Sequence, residues 1–408
     1  MCSPPRVLQG LFLVALFGLA GCGAAAIDEM ERPSPSYGSS DDRPREERRR
    51  FDRVYSEWRG LVGELAAVDL QYQSAPEHRR DALRERYDQL VAEGTAAQKE
   101  VLQAAVVAYA KAPEENIDLA TFLTAVVFLL VDREEYEESL RLAQILLDGE
   151  VSSDELYALA GTAAFATGNF ELAEKHLRRV EREQTMPGVA AKNLKDIDYY
   201  KTAGEREKKL RSAETSAGDL PRVLLKTTQG EIELDLFENE APNTVANFVW
   251  LVEQGFYDGL TFHRVLPRLM AQAGCPNGDG SGGPGYTIPC ECYREDHRLH
   301  FRGSLAMAHS GRDTGGSQFY LTFVPLRRLD GNHTVFGRVV RGIDVLARLQ
   351  RRDPPDPFSR GINPHRNIVI PPADKIIAAK VLKKRNHPYR PKVFQATAAA
   401  ENQPSSGS

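Results

Sequence analysis

The stretch TFHRVLPRLMAQAG, residues 261–274, decides the fold of the second half of this chain. Apolar residues alternate with other residues along it, which predicts a half-buried strand. Phe262 and Val265 are therefore expected to face a core. Arg264 and Gln272 stand among such residues, and a charge in that position needs a reason that the rest of the sequence has to supply.

Length and composition limit the class of protein. The chain has 408 residues, of which 42% are hydrophobic and 27% charged, and 52 basic against 57 acidic residues leave a net charge of −5. These values predict two or three domains of soluble globular composition. The balance of charge gives no sign of a nucleic-acid partner, and the dense run at 41–53 mixes both signs, as a solvated helix start does.

Residues 1–21 have the pattern of an export signal. Arg6 provides a positive charge, residues 11–20 (LFLVALFGLA) form an apolar core, and small residues follow. This apolar core is too short to span a bilayer. We therefore predict a signal peptide at 1–21.

The end of this signal, Leu19-Ala20-Gly21-Cys22, resembles the lipobox of bacterial lipoproteins. The resemblance implies that Cys22 is acylated and becomes the first mature residue, held to the membrane by several acyl chains. Gly23 is not the aspartate that retains such proteins in the inner membrane, which favours the outer membrane, facing the periplasm. The alternative is an ordinary signal peptide cut nearby, with Cys22 incidental.

Residues 22–44 are small, polar and proline-rich and predict a flexible tether, whereas residues 45–215 predict a helical domain. Pro76 favours the start of a second helix, Gly94 its end and Thr95 the start of a third. Residues 119–131 are apolar almost all round and predict a buried helix. One apolar stripe at helical spacing consists of Phe51, Val54, Tyr55, Trp58, Leu61, Val62 and Leu65.

A repeat lies inside the helical domain. REEYEESLRLAQIL at 133–146 aligns without a gap with TGNFELAEKHLRRV at 167–180. The period of about 34 residues resembles that of the tetratricopeptide repeat. Gly161, Ala164 and Ala173 stand where that family uses small residues, although the first copy has Val127, Leu130 and Ser139 there. The alternative is a generic helical bundle with a chance echo.

From residue 220 to 385 the pattern changes to that of a β domain. Residues 223–237 form two alternating runs joined by Thr-Gln-Gly, which predicts a hairpin. Pro242 then favours the start of a helix that ends near Gly255. Residues 386–408 end in small polar residues and predict a disordered tail.

Four motifs follow one another in this region: FHRVLPRLMAQAG (262–274), GDGSGGPGY (278–286), GSLAMAHSGRDTGGSQFYLTF (303–323) and RLDGNHTVFGRV (328–339). In order and spacing they resemble the motifs of the cyclophilin family of peptidyl-prolyl isomerases. The likeness covers 221–384. It implies a closed eight-stranded antiparallel β-barrel with two capping helices.

The resemblance also implies the chemistry, which is rotation about Xaa-Pro bonds without a cofactor. Arg264 matches the family's catalytic arginine, and Gln272 matches the glutamine that hydrogen-bonds the substrate backbone. This assignment gives the charge in the opening stretch its reason, because Arg264 is aimed at a substrate. Pocket and groove positions of the family fall on Met270, Leu329, His333, Ala308, Gln318 and Gly280.

Four groove positions depart from the family pattern. Leu269 and Tyr320 stand where phenylalanine is usual, His309 replaces an asparagine, and Arg328 replaces a tryptophan that holds cyclosporin in many eukaryotic members. We expect activity with an altered sequence preference and weak cyclosporin binding. The histidines of the groove are not expected to act as acids or bases, because the reaction has no obligatory proton transfer.

Cys275, Cys290 and Cys292 remain after the signal and the lipobox. In an oxidising compartment Cys275 could pair with either of the other two, and three free thiols are the alternative. A lone Cys-Glu-Cys lacks the usual spacing of zinc ligands, so no metal is expected.

The sequence therefore predicts a lipid-anchored, extracytoplasmic prolyl isomerase. It would act on proline-containing polypeptides of exported or envelope proteins and recruit a protein partner through its helical domain. The competing hypothesis is a non-catalytic scaffold that binds proline-containing segments.

Overall fold

A computed structural model describes residues 43–182, 186–353 and 372–395 of the protein. The predicted signal peptide, Cys22 and most of the predicted tether lie outside these residues. The described chain divides into two compact units, the first with 43–132, 136–160, 179–182 and 186, and the second with 133–135, 161–178, 187–353 and 372–395.

The predicted helical region is helical throughout its described length. Its helices are α1 (Arg43–Ser74), α2 (Glu77–Lys111), α3 (Ile117–Asp132), α4 (Tyr136–Asp148), α5 (Asp154–Ala166), α6 (Phe170–Arg182), α7 (Gly188–Lys195) and α8 (Ile197–Ala217). None of the helices in the described ranges is long and apolar enough to cross a membrane.

The core of the first unit contains the predicted apolar stripe of α1. Phe51, Val54, Trp58, Val62 and Leu65 are buried, in one cluster with residues of α2, α3 and α4. The prediction of a buried helix at 119–131 is also confirmed for most of its side chains.

The predicted helix boundary at Gly94 and Thr95 is wrong. Helix α2 continues through both residues to Lys111. The Thr95 hydroxyl donates to the carbonyl of Val91 one turn earlier, at 2.7 Å, and Gly94 is buried. A glycine inside a helix costs roughly 1 kcal/mol relative to alanine, which burial of the helix face outweighs here.

The predicted repeat is visible in the bounds of the helices. Helix α4 runs from Tyr136 to Asp148 and α6 from Phe170 to Arg182, so both ends of the two helices are separated by the same interval. Gly161 of α5 lies so close to α6 that an added Cβ would meet the Leu177 side chain at 2.6 Å. The small residue therefore permits this close approach of α5 and α6, while membership of the tetratricopeptide family stays a prediction.

The second unit contains one antiparallel sheet of eight strands. Its order is β3-β4-β7-β6-β8-β2-β1-β9. The strands are β1 (Arg222–Thr227), β2 (Gly230–Leu236), β3 (Arg264–Leu266), β4 (Met270–Ala273), β6 (Ser304–Met307), β7 (Phe319–Thr322), β8 (Val335–Arg341) and β9 (Ile376–Lys383), and β5 (Tyr286–Thr287) pairs separately with β10 (Phe394–Gln395).

The predicted hairpin and the two predicted helices are present. Strands β1 and β2 pair with Thr227 opposite Gly230, which leaves a two-residue turn. Helices α9 (Pro242–Glu253) and α10 (Ile343–Arg348) contribute Phe248, Val345 and neighbouring residues to the core inside the sheet. The edge strands are β3 and β9, and an isolated bridge joins Thr261 to Lys375 between them. Full closure of the barrel stays a prediction.

The structure differs from the predicted disordered tail at 386–395. Tyr389 is buried, and its hydroxyl donates to Glu238 at 2.8 Å. A buried aromatic ring and the β10 pairing hold this segment on the second unit. Residues 396–408 lie outside the described ranges.

Helix α8 belongs to the second unit, together with the sheet. The Arg298 side chain is 1% exposed. Its guanidinium forms ion pairs with Glu207 and Glu214 of α8 and with Glu240, and lies 3.8 Å from the ring centre of Phe237. The second unit, as its internal contacts define it, therefore includes helices that the sequence composition assigned to the helical domain.

Candidate functional site

The register of the sheet explains the charge inside the stretch 261–274. Arg264 of β3 lies opposite Gln272 of β4, Gln272 lies opposite Tyr320 of β7, and Tyr320 lies opposite Ala306 of β6. Residues directly opposite each other point to the same face of a sheet. This row faces away from the main core. Val265, the neighbour of Arg264 on β3, points to the opposite face of the sheet and is part of that core.

A groove of about 630 Å³ lies over this row. It brings together all the residues that the sequence assigned to the site. These are Arg264, Leu269, Met270, Gln272, Gly280, Ala308, His309, Gln318, Tyr320, Arg328, Leu329 and His333. The roles assigned to them stay predictions, but their proximity is a property of the fold.

The Arg264 side chain is 43% exposed and points into the groove from the edge strand. Its Nε lies 3.7 Å from a carboxylate oxygen of Asp353, whose side chain is 69% exposed. A pair this exposed contributes about 0–1 kcal/mol. The guanidinium is therefore available to a ligand.

Sequence reasoning missed Asp353. Arg352 forms an isolated bridge with Val265, with backbone hydrogen bonds of 2.7 and 2.9 Å, and this bridge places Asp353 beside Arg264. Asp353 belongs to none of the four motifs. A pairing between segments so distant in the chain leaves no local signal that could have identified it.

Two glutamines form the polar side of the groove. Gln272 Nε2 donates to Gln318 Oε1 at 2.9 Å, and Gln318 Nε2 donates to the carbonyls of Gly280 and Gly282 at 2.8 Å each. These bonds fix which end of each amide faces the groove. Both side chains are thereby oriented before any ligand binds.

Apolar residues form the opposite side. Met270 and Tyr320 are buried in a small cluster on the outer face of the sheet, and Leu269, Leu329 and Ala308 pack against it while they line the groove. An apolar wall beside a charged donor suits a ligand that is part hydrocarbon and part amide.

Three rings continue the wall. His309 stacks on His333 with ring centres 4.1 Å apart, and Tyr320 meets His333 edge-on at 5.6 Å. His309 Nε2 and His333 Nδ1 contact the carbonyls of Asn332 and Met307. Burial, followed by the neighbouring His309, lowers the pKa of His333 to about 4. His333 is therefore neutral at physiological pH.

The three cysteines of this unit are free thiols, so the disulfide that the sequence allowed is not formed. Cys275 Sγ accepts the backbone N–H groups of Gly280 and Gly282 at 3.2 Å each and so supports the groove loop. Burial raises the pKa of Cys290, and it raises the pKa of Cys292 to about 11. These two thiols stay protonated at neutral pH.

Comparison with known proteins identifies the class to which this chain belongs. Residues 222–372 match the family model described as cyclophilin-type peptidyl-prolyl cis-trans isomerase/CLD. A peptidyl-prolyl cis-trans isomerase of Synechococcus elongatus is 56% identical over 136 residues, which cover 33% of this chain and 92% of the relative. Peptidyl-prolyl cis-trans isomerase B of Bacillus subtilis is 52% identical over 123 residues, which cover 30% of this chain and 85% of the relative.

Among solved structures, a Cryptosporidium parvum cyclophilin-type isomerase is 28% identical with a TM-score of 0.34, and the match covers 41% of this chain and 99% of that one. The extent and identity of the sequence matches are decisive. The chain belongs to the cyclophilin-type peptidyl-prolyl cis-trans isomerase family.

Proposed function

We propose that this protein is a lipid-anchored, extracytoplasmic prolyl isomerase that helps exported or envelope proteins to fold. The proposed catalytic activity is supported by one observation: the Arg264 guanidinium lies at the edge of an apolar groove, opposite Gln272. The matches to bacterial peptidyl-prolyl cis-trans isomerases support the same reaction.

The reaction needs little chemistry but a specific environment. Amide resonance gives rotation about the peptide bond a barrier of roughly 18–20 kcal/mol. In the twisted transition state the proline nitrogen regains a lone pair. A catalyst must therefore bind the twisted amide better than the planar one.

Arg264 is the residue that we assign to this task. Its guanidinium stays charged at any physiological pH and can donate to the pyramidal nitrogen and to the carbonyl of the proline. The exposed pair with Asp353 does not tie it strongly. Arg264 therefore supplies stabilisation that develops as the amide twists.

The remaining groove residues hold the substrate. The wall formed by Leu269, Met270 and Leu329 would take the proline ring, and Gln272 would bind the substrate backbone. Neither contact changes much as the bond turns, so both contribute chiefly to binding.

Membrane anchoring rests on the sequence. Since Leu19-Ala20-Gly21-Cys22 ends an export signal, we expect Cys22→Ser to release the protein from membranes or to block its maturation. The measurement is membrane fractionation with intact mass. Cys2→Ser is the matched control, because Cys2 would be removed with the signal. Unchanged membrane recovery and mass of Cys22→Ser would contradict the anchor.

The helical region would recruit a partner. Support comes from the bounds of α4 and α6, which repeat at one interval, since repeated helix pairs commonly present extended binding surfaces. Exposed apolar side chains of the first unit, Ile117 at 75% and Phe128 at 51%, are compatible with this role.

The test of the function is the cis-to-trans rate of short Xaa-Pro peptides with and without the full chain. We expect acceleration proportional to protein concentration. Binding of proline peptides without acceleration would instead establish the scaffold hypothesis.

A further inference from the structure

Helix α8 lies outside the segment that matches the family model, yet it contacts two segments beside the groove. The Tyr199 hydroxyl donates to Asp330 Oδ2 at 2.7 Å, and the Tyr200 hydroxyl donates to the carbonyl of His300 at 3.2 Å. Arg327 pairs with Asp196 at 2.9 Å, just before α8 begins. Three polar contacts therefore hold the helix against these segments.

Asp330 is the centre of this arrangement. Its Oδ1 accepts both the backbone N–H and Nδ1–H of His300, each at 2.8 Å, while Oδ2 accepts the Tyr199 hydroxyl. The Asp330 side chain is 8% exposed and that of His300 is fully buried. A buried carboxylate with three donors is held in one position.

The chain of hydrogen bonds continues into the groove. Because Nδ1 of His300 contacts the Asp330 carboxylate, the other ring nitrogen, Nε2, is the one that faces the groove wall. Nε2 lies within hydrogen-bond distance of the Tyr320 hydroxyl, at 2.8 Å. The two rings are nearly parallel, at 4° and 5.9 Å. Tyr320, one of the four departures from the family pattern, therefore connects the groove wall to α8.

We propose that Tyr199 is a positioning residue for the isomerase groove and acts through Asp330 and His300 on Tyr320. Asp330 also follows the short 3₁₀ turn Arg327–Leu329, so it holds the segment that supplies Arg328 and Leu329 to the groove. The inference rests on the proposed function of the groove. It extends the functional unit to a helix beyond the family-matched region.

The test removes one oxygen atom. Tyr199→Phe loses the hydrogen bond to Asp330 but keeps the ring, which stacks against the Arg327 guanidinium at 4.3 Å. A loosened wall weakens ground-state and transition-state binding alike. The lost bond is to a charged group, which corresponds to about 10- to 150-fold if all of it reached the groove. Because only part of it is transmitted through Asp330 and His300, we expect KM for an Xaa-Pro peptide to rise about 3- to 30-fold, with kcat within about twofold of the original.

Tyr87→Phe is the matched control, because the Tyr87 hydroxyl is buried in the first unit without a hydrogen-bond partner among the described residues. Asp330→Asn is the second variant. It keeps the shape of the side chain but removes the charge that orients His300, so KM should rise at least as much. In ¹⁵N-histidine spectra the His300 signals, identified by their loss in His300→Gln, should shift in both variants and not in the control.

The outcomes separate the two proposals. If the unmodified chain does not accelerate isomerisation, the proposed function fails. If it does, and Tyr199→Phe and Asp330→Asn match Tyr87→Phe in KM and in the His300 signals, the positioning role is refuted. A fall in kcat at unchanged KM would refute it too, because a smaller folded fraction lowers kcat alone.

Discussion

Replacing Arg298 by methionine should strongly destabilise the second unit. The variant keeps an apolar stem over Phe237 but leaves Glu207, Glu214 and Glu240 without the buried guanidinium. Removing one partner from a buried ion-pair network costs about 3–5 kcal/mol, because the remaining charges stay desolvated.

The structure also shows what compensation remains. Glu207 keeps Arg211 at 2.8 Å, and Glu214 keeps Arg338 at 2.8 Å. Within the described ranges Glu240 forms its ion pair with Arg298, so the variant leaves it without an arginine partner there. We therefore place the expected loss in the lower half of that range, about 3–4 kcal/mol.

Hydrogen exchange of the β1–β2 amides in the full chain measures this loss, because the chain has two units and a single melting curve would mix them. Exchange through global opening should become about two to three orders of magnitude faster. Arg294→Met is the control, since that arginine forms an exposed pair with Asp296. A change in Arg298→Met no larger than in the control would refute the reasoning.

The loss should depend on pH in a defined direction. Burial raises the pKa of Glu207, but the charges of Arg298 and Arg211 outweigh it and the net shift is downward. This contribution to stability is present above the unfolded pKa, near 4.5, and is lost as pH falls through the folded value. Without Arg298, burial favours the protonated form. The difference between the two proteins should therefore be smaller at pH 4 than at pH 7.

Two further predictions concern the groove. Leu269→Phe should leave kcat/KM unchanged or raise it, because the larger ring fills the wall toward the family's usual shape; a clear fall in the peptide assay would contradict this. His333 has its pKa lowered to about 4 by burial and by His309. Folding stability should therefore decline as pH falls from about 6.5 toward 4, since the unfolded chain binds the proton first. In His333→Gln that part of the decline should be absent from the unfolding curve of the second unit.

Local patterns predicted much of the fold. The hairpin at 223–237, the helix from Pro242 and the stripe of α1 follow from periodicity and turn residues that each segment carries by itself. Gly94 shows the limit of such reasoning. Its helix-ending tendency is about 1 kcal/mol, and packing that no local pattern reveals exceeds it.

The site residues could likewise be predicted from the sequence where they lie within one motif. Arg264 and Gln272 lie in one motif, and their cross-strand pairing follows from a short hairpin. Asp353 and Tyr199 reach the groove region through contacts between segments far apart in the chain. Such contacts depend on the complete tertiary fold, so a single sequence without the structure gives no signal for them.

The central claim is that the groove catalyses rotation through Arg264. The most direct measurement compares kcat/KM and peptide affinity of the full chain, Arg264→Ala and Arg341→Ala, an exposed arginine of β8 that does not line the groove. Losing one preorganised donor should lower kcat/KM about 10²- to 10³-fold and change affinity far less. Arg341→Ala should match the unmodified chain. Equal acceleration by Arg264→Ala and the unmodified chain would contradict the account.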